Sequence, residues 1–250
     1  MLINTVILFL RDALPVFLLL GLLWSINPHW KRWLLHGLLS GILLLVVIFI
    51  NVASVSEWFE GAGYELLQML LHTLLFVALI AYLTRPDLTH KMLAAMTTLV
   101  LATNGTSFTI YVLGYWAHQQ GTPALSVGTA LGVGICLSIA VLLFLALSSA
   151  SLLWRRRVLC LFVAGQSAGI APLLAQVNWL PEQVQVWDSN ALLRDTSEYG
   201  HLAKALFGYE ATPSLAYLLL YALFVSVSLY FAQRASHSEH RATTIKEAAQ

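Results

Sequence analysis

The chain has 250 residues, of which 59% are hydrophobic and only 10% are charged, and its formal net charge is +1. Soluble domains carry about 45–50% apolar and about 25% charged residues, so this composition excludes a soluble globular protein. The small net charge gives no electrostatic basis for binding nucleic acid. Cys136 and Cys160 form no paired motif, which predicts neither a disulfide framework nor a zinc site.

Seven apolar runs are long enough to cross a bilayer, which takes about 20 residues. They cover residues 3–26, 34–55, 64–83, 91–117, 124–149, 157–178 and 213–232. The runs predict an all-α integral membrane protein with seven transmembrane helices rather than a barrel. The first run lacks a basic leader and a small-residue cleavage pattern, so we expect a retained helix. Pro15 and Pro172 lie inside runs and predict kinks.

The loops between the runs alternate in charge. Basic clusters follow the first, third, fifth and seventh runs, at residues 31–32, 85–91, 155–157 and 234–246. By the positive-inside rule, the N-terminus is expected outside and the C-terminus inside, in the cytoplasmic membrane. Residues 1–233 are then the membrane domain, with an outer loop at 178–212, and residues 234–250 are a polar cytoplasmic tail.

The first run carries Arg11 and Asp12 near its middle, in the segment Phe9-Leu10-Arg11-Asp12-Ala13-Leu14-Pro15. An ionisable residue at that depth costs about 2.5–3.5 kcal/mol on insertion scales, so it usually faces a bundle interior or a wet path. We interpret the pair as the core of a transport path. The alternative is that the two side chains only hold helices together.

Other polar residues lie at a similar depth, counted at about 1.5 Å per helical residue. They are His72 in the third run, Thr103, Asn104, Thr106 and Ser107 in the fourth, and Gln166 and Ser167 in the sixth. A polar layer at one level is typical of a cation or solute path. Interhelical hydrogen bonding is the alternative for each residue. We also expect Asn104-Gly105-Thr106 to be able to break the fourth helix.

Two outer connections carry further signals. Glu57, Glu60 and Glu65 form an acidic segment that could collect metal cations at the outer mouth, or could simply be solvated. In the long loop, Ser189–Phe207 predicts a short amphipathic helix lying on the membrane and ended by Gly208. Polar interruptions in runs one and four permit an inverted pair of three-helix halves followed by a seventh helix.

The long loop also resembles a known family. The matching elements are Trp187-Asp188-Ser189, Leu192-Leu193, Gly200, Leu206-Phe207-Gly208-Tyr209 and Thr212-Pro213-Ser214. These resemble the loop before the last helix of the oxidase-coupled iron permeases, which include fungal high-affinity and bacterial ferrous-iron permeases. The segment at residues 9–15 looks like the family's first Arg-Glu-Gly-Leu-Glu motif. The resemblance implies seven helices with the N-terminus outside, iron as the substrate, and a periplasmic oxidase or metal-binding protein as partner.

Several acids of the family pattern are replaced in this chain. Pro15 stands at the second glutamate of the first motif, and residues 103–107 keep only Gly105 of the second motif. Gln68 and Gln176 stand where the family has further glutamates. Because iron(III) needs anionic oxygen ligands, the remaining Asp12 cannot alone compensate a trivalent ion in a low dielectric.

The sequence therefore predicts an iron-permease-type transporter and not an enzyme, with no bound organic cofactor. We expect the path at Arg11, Asp12, His72, Asn104 and Thr106. The candidate metal ligands are Asp12, Glu57, Glu60 and Glu65. The alternative is a degenerate, non-transporting subunit that anchors a periplasmic oxidase or electron-transfer partner. Lone, scattered histidines give little support to a membrane enzyme or haem anchor.

Overall fold

The structure is a computed structural model that describes the backbone of residues 2–118, 123–181 and 184–248. Side chains are described for the same ranges apart from residues 2, 30, 107, 111–118, 123–125 and 237–248. The side chain of Ser107 and the last two residues of the expected tail therefore lie outside the described residues.

The described part of the chain is helical, with one isolated β-bridge between Gln185 and Ser214. Its α-helices are α1 Leu2–Leu8, α2 Leu14–Ile26, α3 Lys31–Ser56, α4 Gly63–Thr84, α5 Thr89–His118, α6 Pro123–Ser148, α7 Leu152–Ala168, α8 Ile170–Gln176, α9 Glu198–Phe207 and α10 Leu215–Ala248. A π-helical turn, Phe9–Ala13, joins α1 to α2.

Seven helical segments in this part of the chain are long and apolar enough to cross a bilayer. They are Ile3–Ile26, Lys31–Ser56, Gly63–Thr84, Pro86–Ile110, Ser126–Ser148, Leu152–Gln176 and Leu215–Ser236. The seven predicted runs are thus confirmed as helices, as expected for a multi-pass membrane protein. Residues 57–62, 177–181 and 184–214 lie at one end of the bundle, the long-loop face. Residues 27–30, 85–88 and 149–151 lie at the other end, the short-loop face.

The core of the bundle forms where α2, α4 and α7 meet. Leu18, Leu22, Leu79 and Phe162 are fully buried there. By contrast, α3 packs mainly along α5 and leaves most of its surface exposed. A Cβ on Gly37 would lie 2.7 Å from the carbonyl oxygen of Ala94, so the close approach of α3 and α5 requires glycine.

Both interior prolines coincide with breaks in regular helix, as predicted. Proline lacks an N–H and crowds the carbonyl four residues earlier. Just before Pro15 the chain forms the π-helical turn, where the Leu14 N–H donates to the Phe9 carbonyl. Before Pro172, α7 ends at Ala168 and the chain turns at Gly169 before α8 begins.

Two expectations about helix boundaries were wrong. The polar segment Asn104-Gly105-Thr106 does not break its helix, because α5 continues from Thr89 to His118. Its side chains bond carbonyls one turn earlier, which leaves the helical ladder intact.

The loop helix begins at Glu198 and not at Ser189, because Ser197 is the residue whose side chain accepts the Gly200 N–H as an N-cap. It ends as predicted, at Gly208, which has φ of 67°. The helix α9 packs against α7, α2 and the π-helical turn, so it covers part of the long-loop face.

Candidate functional site

A cavity of about 170 Å³ lies where α2, α4, α5 and α7 meet beneath the long loop, and we call it the Arg11 cavity. Its polar lining residues are Arg11, His72, Asn104, Gln166, His201, Lys204, Glu210 and Tyr217. Sites for drug-sized ligands are usually about 300–1,000 Å³, so this cavity has room for a solute of only a few atoms.

The π-helical turn places Arg11 at the cavity wall and Asp12 behind it. The guanidinium donates to both carboxylate oxygens, Nε to Oδ1 and Nη2 to Oδ2, each at 2.8 Å. The Asp12 side chain is only 9% exposed, whereas that of Arg11 is 50% exposed. Such a two-point pair is among the strongest polar contacts in proteins. The Asp12 carboxylate is therefore paired with Arg11 and does not line the cavity. Of the two groups, only the Arg11 guanidinium does.

His72 enters the cavity from α4. Its Nδ1 atom is buried and makes no hydrogen bond with any described residue. A Cβ on Gly169 would lie 3.5 Å from its Nε2, so the turn between α7 and α8 packs closely against the ring. Buried polar atoms are nearly always paired, and an exception beside a cavity is expected to bind water or a solute.

Asn104 of α5 and Gln166 of α7 complete the membrane-embedded part of the lining. The Asn104 Nδ2 donates to the Val100 carbonyl at 3.0 Å and lies 3.4 Å from the Gln166 Oε1. Four of the residues predicted to share one depth, on four different spans, therefore do line one cavity. They are Arg11, His72, Asn104 and Gln166.

Thr106, also predicted for the path, lies elsewhere. Its side chain is fully buried and donates to the Ala102 carbonyl of its own helix. Thr103 likewise donates to Leu99. Neither lines the cavity. Both hydroxyls therefore fit the alternative in which they only satisfy hydrogen bonds inside the bundle.

Three polar lining residues from the long loop were missed by the sequence reasoning: His201, Lys204 and Glu210. The Lys204 Nζ lies 3.4 Å from the Glu210 Oε1. Burial lowers the pKa of His201 below its ordinary value, and the nearby Arg11 and Lys204 charges add to the shift. A spacing of three residues puts His201 and Lys204 on one face of α9, but such a polar face is equally typical of a helix side that faces solvent.

The loop residues that carry the family resemblance hold the loop together. Asp188 accepts the Asn190 N–H at 2.9 Å, and Tyr209 donates to the Leu193 carbonyl at 2.9 Å. A Cβ on Gly200 would collide with the Arg194 carbonyl. Gly208 ends α9, while Phe207 is 49% exposed. These contacts give the motif a structural role at the roof of the cavity.

A second cavity, of about 370 Å³, lies at the long-loop face between the start of α4 and the end of α8, and we call it the acidic vestibule. Glu60 and Glu65 line it, and Glu57 does not. The Glu65 Oε2 is buried and makes no hydrogen bond with the described residues. Phe59 and Glu60 adopt left-handed backbone conformations, with φ of 53° and 62°.

The candidate metal ligands do not converge. Asp12 is held by Arg11 next to one cavity, whereas Glu60 and Glu65 line the other. Within the described residues, no group of three or more His, Cys, Asp or Glu side chains is placed to hold a metal ion. The metal role of these four carboxylates stays a prediction.

The seven long apolar helices are those of a multi-pass helical membrane protein, and four of them contribute polar side chains to one cavity. No protein-family model, curated protein or solved structure matches the chain.

Proposed function

We propose that the chain is a transporter of the cytoplasmic membrane and that the Arg11 cavity is its solute site. The single observation that carries this proposal is the convergence of polar side chains from four separate spans on one cavity. Residues that only joined helices would be expected to bond one another. Asn104 and Gln166 do contact each other across helices, but the buried His72 Nδ1 has no hydrogen-bond partner among the described residues, which supports a role in binding water or a solute.

The resemblance to the oxidase-coupled iron permeases makes iron the first cargo to test. The described lining of the cavity has no excess of negative charge, because Arg11 and Lys204 are accompanied by a single lining carboxylate, that of Glu210, so a multivalent cation would be poorly compensated there. A metal cation would first meet Glu60 and Glu65 in the acidic vestibule at the same face. The chain has no ATP-binding motif, so we expect a gradient, the membrane potential or partner chemistry to drive transport.

The test compares two substitutions on α5 in a host that lacks its own iron uptake. Asn104→Leu removes a polar group from the cavity, whereas Thr103→Val removes a hydroxyl bonded only to its own helix. We expect Asn104→Leu to lower the initial uptake rate about tenfold, as the loss of a hydrogen bond of about 1.5 kcal/mol would do. Thr103→Val should retain the wild-type rate. Equal rates for both variants at equal expression would contradict the proposal.

The long loop favours a second candidate function, the anchoring of a partner without transport. Large apolar side chains are exposed along it, including Trp179, Trp187, Leu192 and Tyr199. Exposed aromatic groups are typical of protein interfaces and of membrane interfaces. Crosslinking in intact cells from position 192 would separate the candidates. Capture of a periplasmic oxidase together with unchanged uptake in Asn104→Leu would favour the anchor.

A further inference from the structure

A third cavity, of about 280 Å³, lies at the short-loop face among the ends of α2, α4 and α10 and the start of α7. Asn27, Tyr82, Thr84 and Thr89 contribute polar groups to its lining. Arg156 is the one charged residue among those that line it in the described part of the chain. The proposed transport path does not include this cavity.

Aromatic residues mark the level of this cavity as a membrane interface. The Lys31 ammonium lies 5.0 Å from the ring centre of Trp24, and the Arg157 guanidinium lies 5.1 Å from that of Trp154. Tryptophan and basic residues concentrate at the depth of lipid head groups. Leu152 and Trp154, close to Arg156 in the chain, are both exposed and offer apolar surface at the same level.

The short-loop face and the helix ends that adjoin it are strongly basic. The described charged residues there are Lys31, Arg32, Arg85, Asp87, Lys91, Arg155, Arg156, Arg157 and Arg234. Only one of these, Asp87, is acidic, and it does not line the cavity. Arg155 has a structural role, because its guanidinium donates to the carbonyls of Ala150, Ser148 and Ser25. The positive potential at this face therefore favours an anion in the cavity that Arg156 lines.

We propose that the Arg156 cavity binds the phosphate of an anionic phospholipid head group. The Arg156 guanidinium is permanently charged, and guanidinium groups bind phosphate oxygens through charge-assisted hydrogen bonds. Asn27 accepts the His29 N–H through Oδ1, which leaves its NH2 group as a second donor. The lipid's acyl chains lie along the exposed Leu152 and Trp154. This site is independent of the transport proposal, so each stands or fails separately.

The test measures thermal unfolding of the purified full chain in a neutral detergent. Phosphatidylglycerol is added in one arm, phosphatidylcholine in the second and inorganic phosphate in the third. We expect phosphatidylglycerol alone to raise the melting temperature, by about 2–4 °C. Arg156→Gln should lose this shift. Arg32→Gln is the matched control, since it removes the same charge from an exposed side chain at the same end of the bundle that does not line the cavity.

Equal loss in the two variants would overturn the proposal, since it would show that only the summed charge matters. An equal shift with phosphatidylcholine, or with inorganic phosphate alone, would also overturn it. Should Arg156→Gln fail to fold, Thr89→Glu provides a second variant. It places a carboxylate in the cavity at the first turn of α5, where the helix dipole tolerates it, and it should abolish the shift.

Discussion

Gly165 of α7 and Gly208 at the end of α9 lie in direct backbone contact. A Cβ on Gly165 would sit 2.7 Å from the Gly208 amide nitrogen and 2.8 Å from its Cα. Gly208 also has φ of 67°, and its carbonyl oxygen accepts a hydrogen bond from the Tyr217 hydroxyl at 2.7 Å. The pair fixes the loop helix on the bundle beside the Arg11 cavity, which Gly165 lines.

Gly165→Ala should therefore destabilise the protein. The added methyl group would collide with the backbone of Gly208, which cannot move aside as a side chain can. We therefore expect the free energy of unfolding to fall by about 1–3 kcal/mol. Gly134→Ala is the control, because a Cβ at Gly134 meets nothing within 4 Å. In that variant the helix should gain up to about 1 kcal/mol. Thermal melts in detergent would measure both, and a melting temperature unchanged by Gly165→Ala would contradict the contact.

Breaking the Arg11–Asp12 pair should affect stability and uptake differently. Asp12→Asn leaves the guanidinium without its carboxylate, at a cost of about 1.5–3 kcal/mol, and should abolish uptake. The double variant Arg11→Met, Asp12→Leu removes both charges and should recover most of the stability. We expect it to remain inactive in uptake assays. Normal uptake in the double variant would show that the pair serves only packing.

The protein should lose stability in mild acid through His201. Its pKa in the folded chain is lowered by burial and by Arg11 and Lys204, while Asp12 and Asp195 act in the opposite direction. The unfolded chain then binds a proton before the folded chain does, so stability falls as the pH drops below about 6.5. Between pH 7.5 and pH 5 the melting temperature of the wild type should fall more than that of His201→Gln. If the melting temperatures of the two proteins fell equally with pH, His201 would not be the cause of the acid sensitivity.

Metal binding in the acidic vestibule should depend on Glu65. Its buried, unpaired Oε2 lies in the first turn of α4, and a divalent cation would neutralise it. Adding Mn²⁺ or Fe²⁺ at a hundredfold excess over its dissociation constant should stabilise the wild type by about 2.7 kcal/mol. Glu65→Gln should lose this gain and Glu57→Gln should keep it, because Glu57 does not line the vestibule. If Glu65→Gln were stabilised by the metal as much as the wild type, the predicted metal site at Glu65 would be contradicted.

Depth along the membrane was predictable from the sequence because each helical residue advances by a fixed rise. That is why His72, Asn104 and Gln166 were grouped with Arg11 and do share its cavity. The direction of each side chain around its helix was harder to predict. Asn104 and Thr106 are two residues apart, roughly 200° around the helix, so they could not both face one cavity.

The roof of the cavity could not be predicted in the same way. The polar face of α9 suits solvent as well as a neighbouring helix, so its pattern did not reveal that Lys204 faces the cavity. The helix start was also misplaced, because Ser189 and Ser197 are both acceptable N-caps. Ser189 instead bonds the Tyr209 hydroxyl and the Ala211 carbonyl, contacts that depend on how the loop folds back.

The most direct test is solute flux into liposomes that contain only the purified chain. Fe²⁺, Fe³⁺, other divalent cations and small polar solutes would be supplied in turn to the wild type, Asp12→Asn and protein-free vesicles. We expect saturable, time-dependent accumulation of at least one of these solutes with the wild type and none with Asp12→Asn. Accumulation no greater than in protein-free vesicles for every solute, or equal accumulation with Asp12→Asn, would contradict a transport path at the Arg11 cavity.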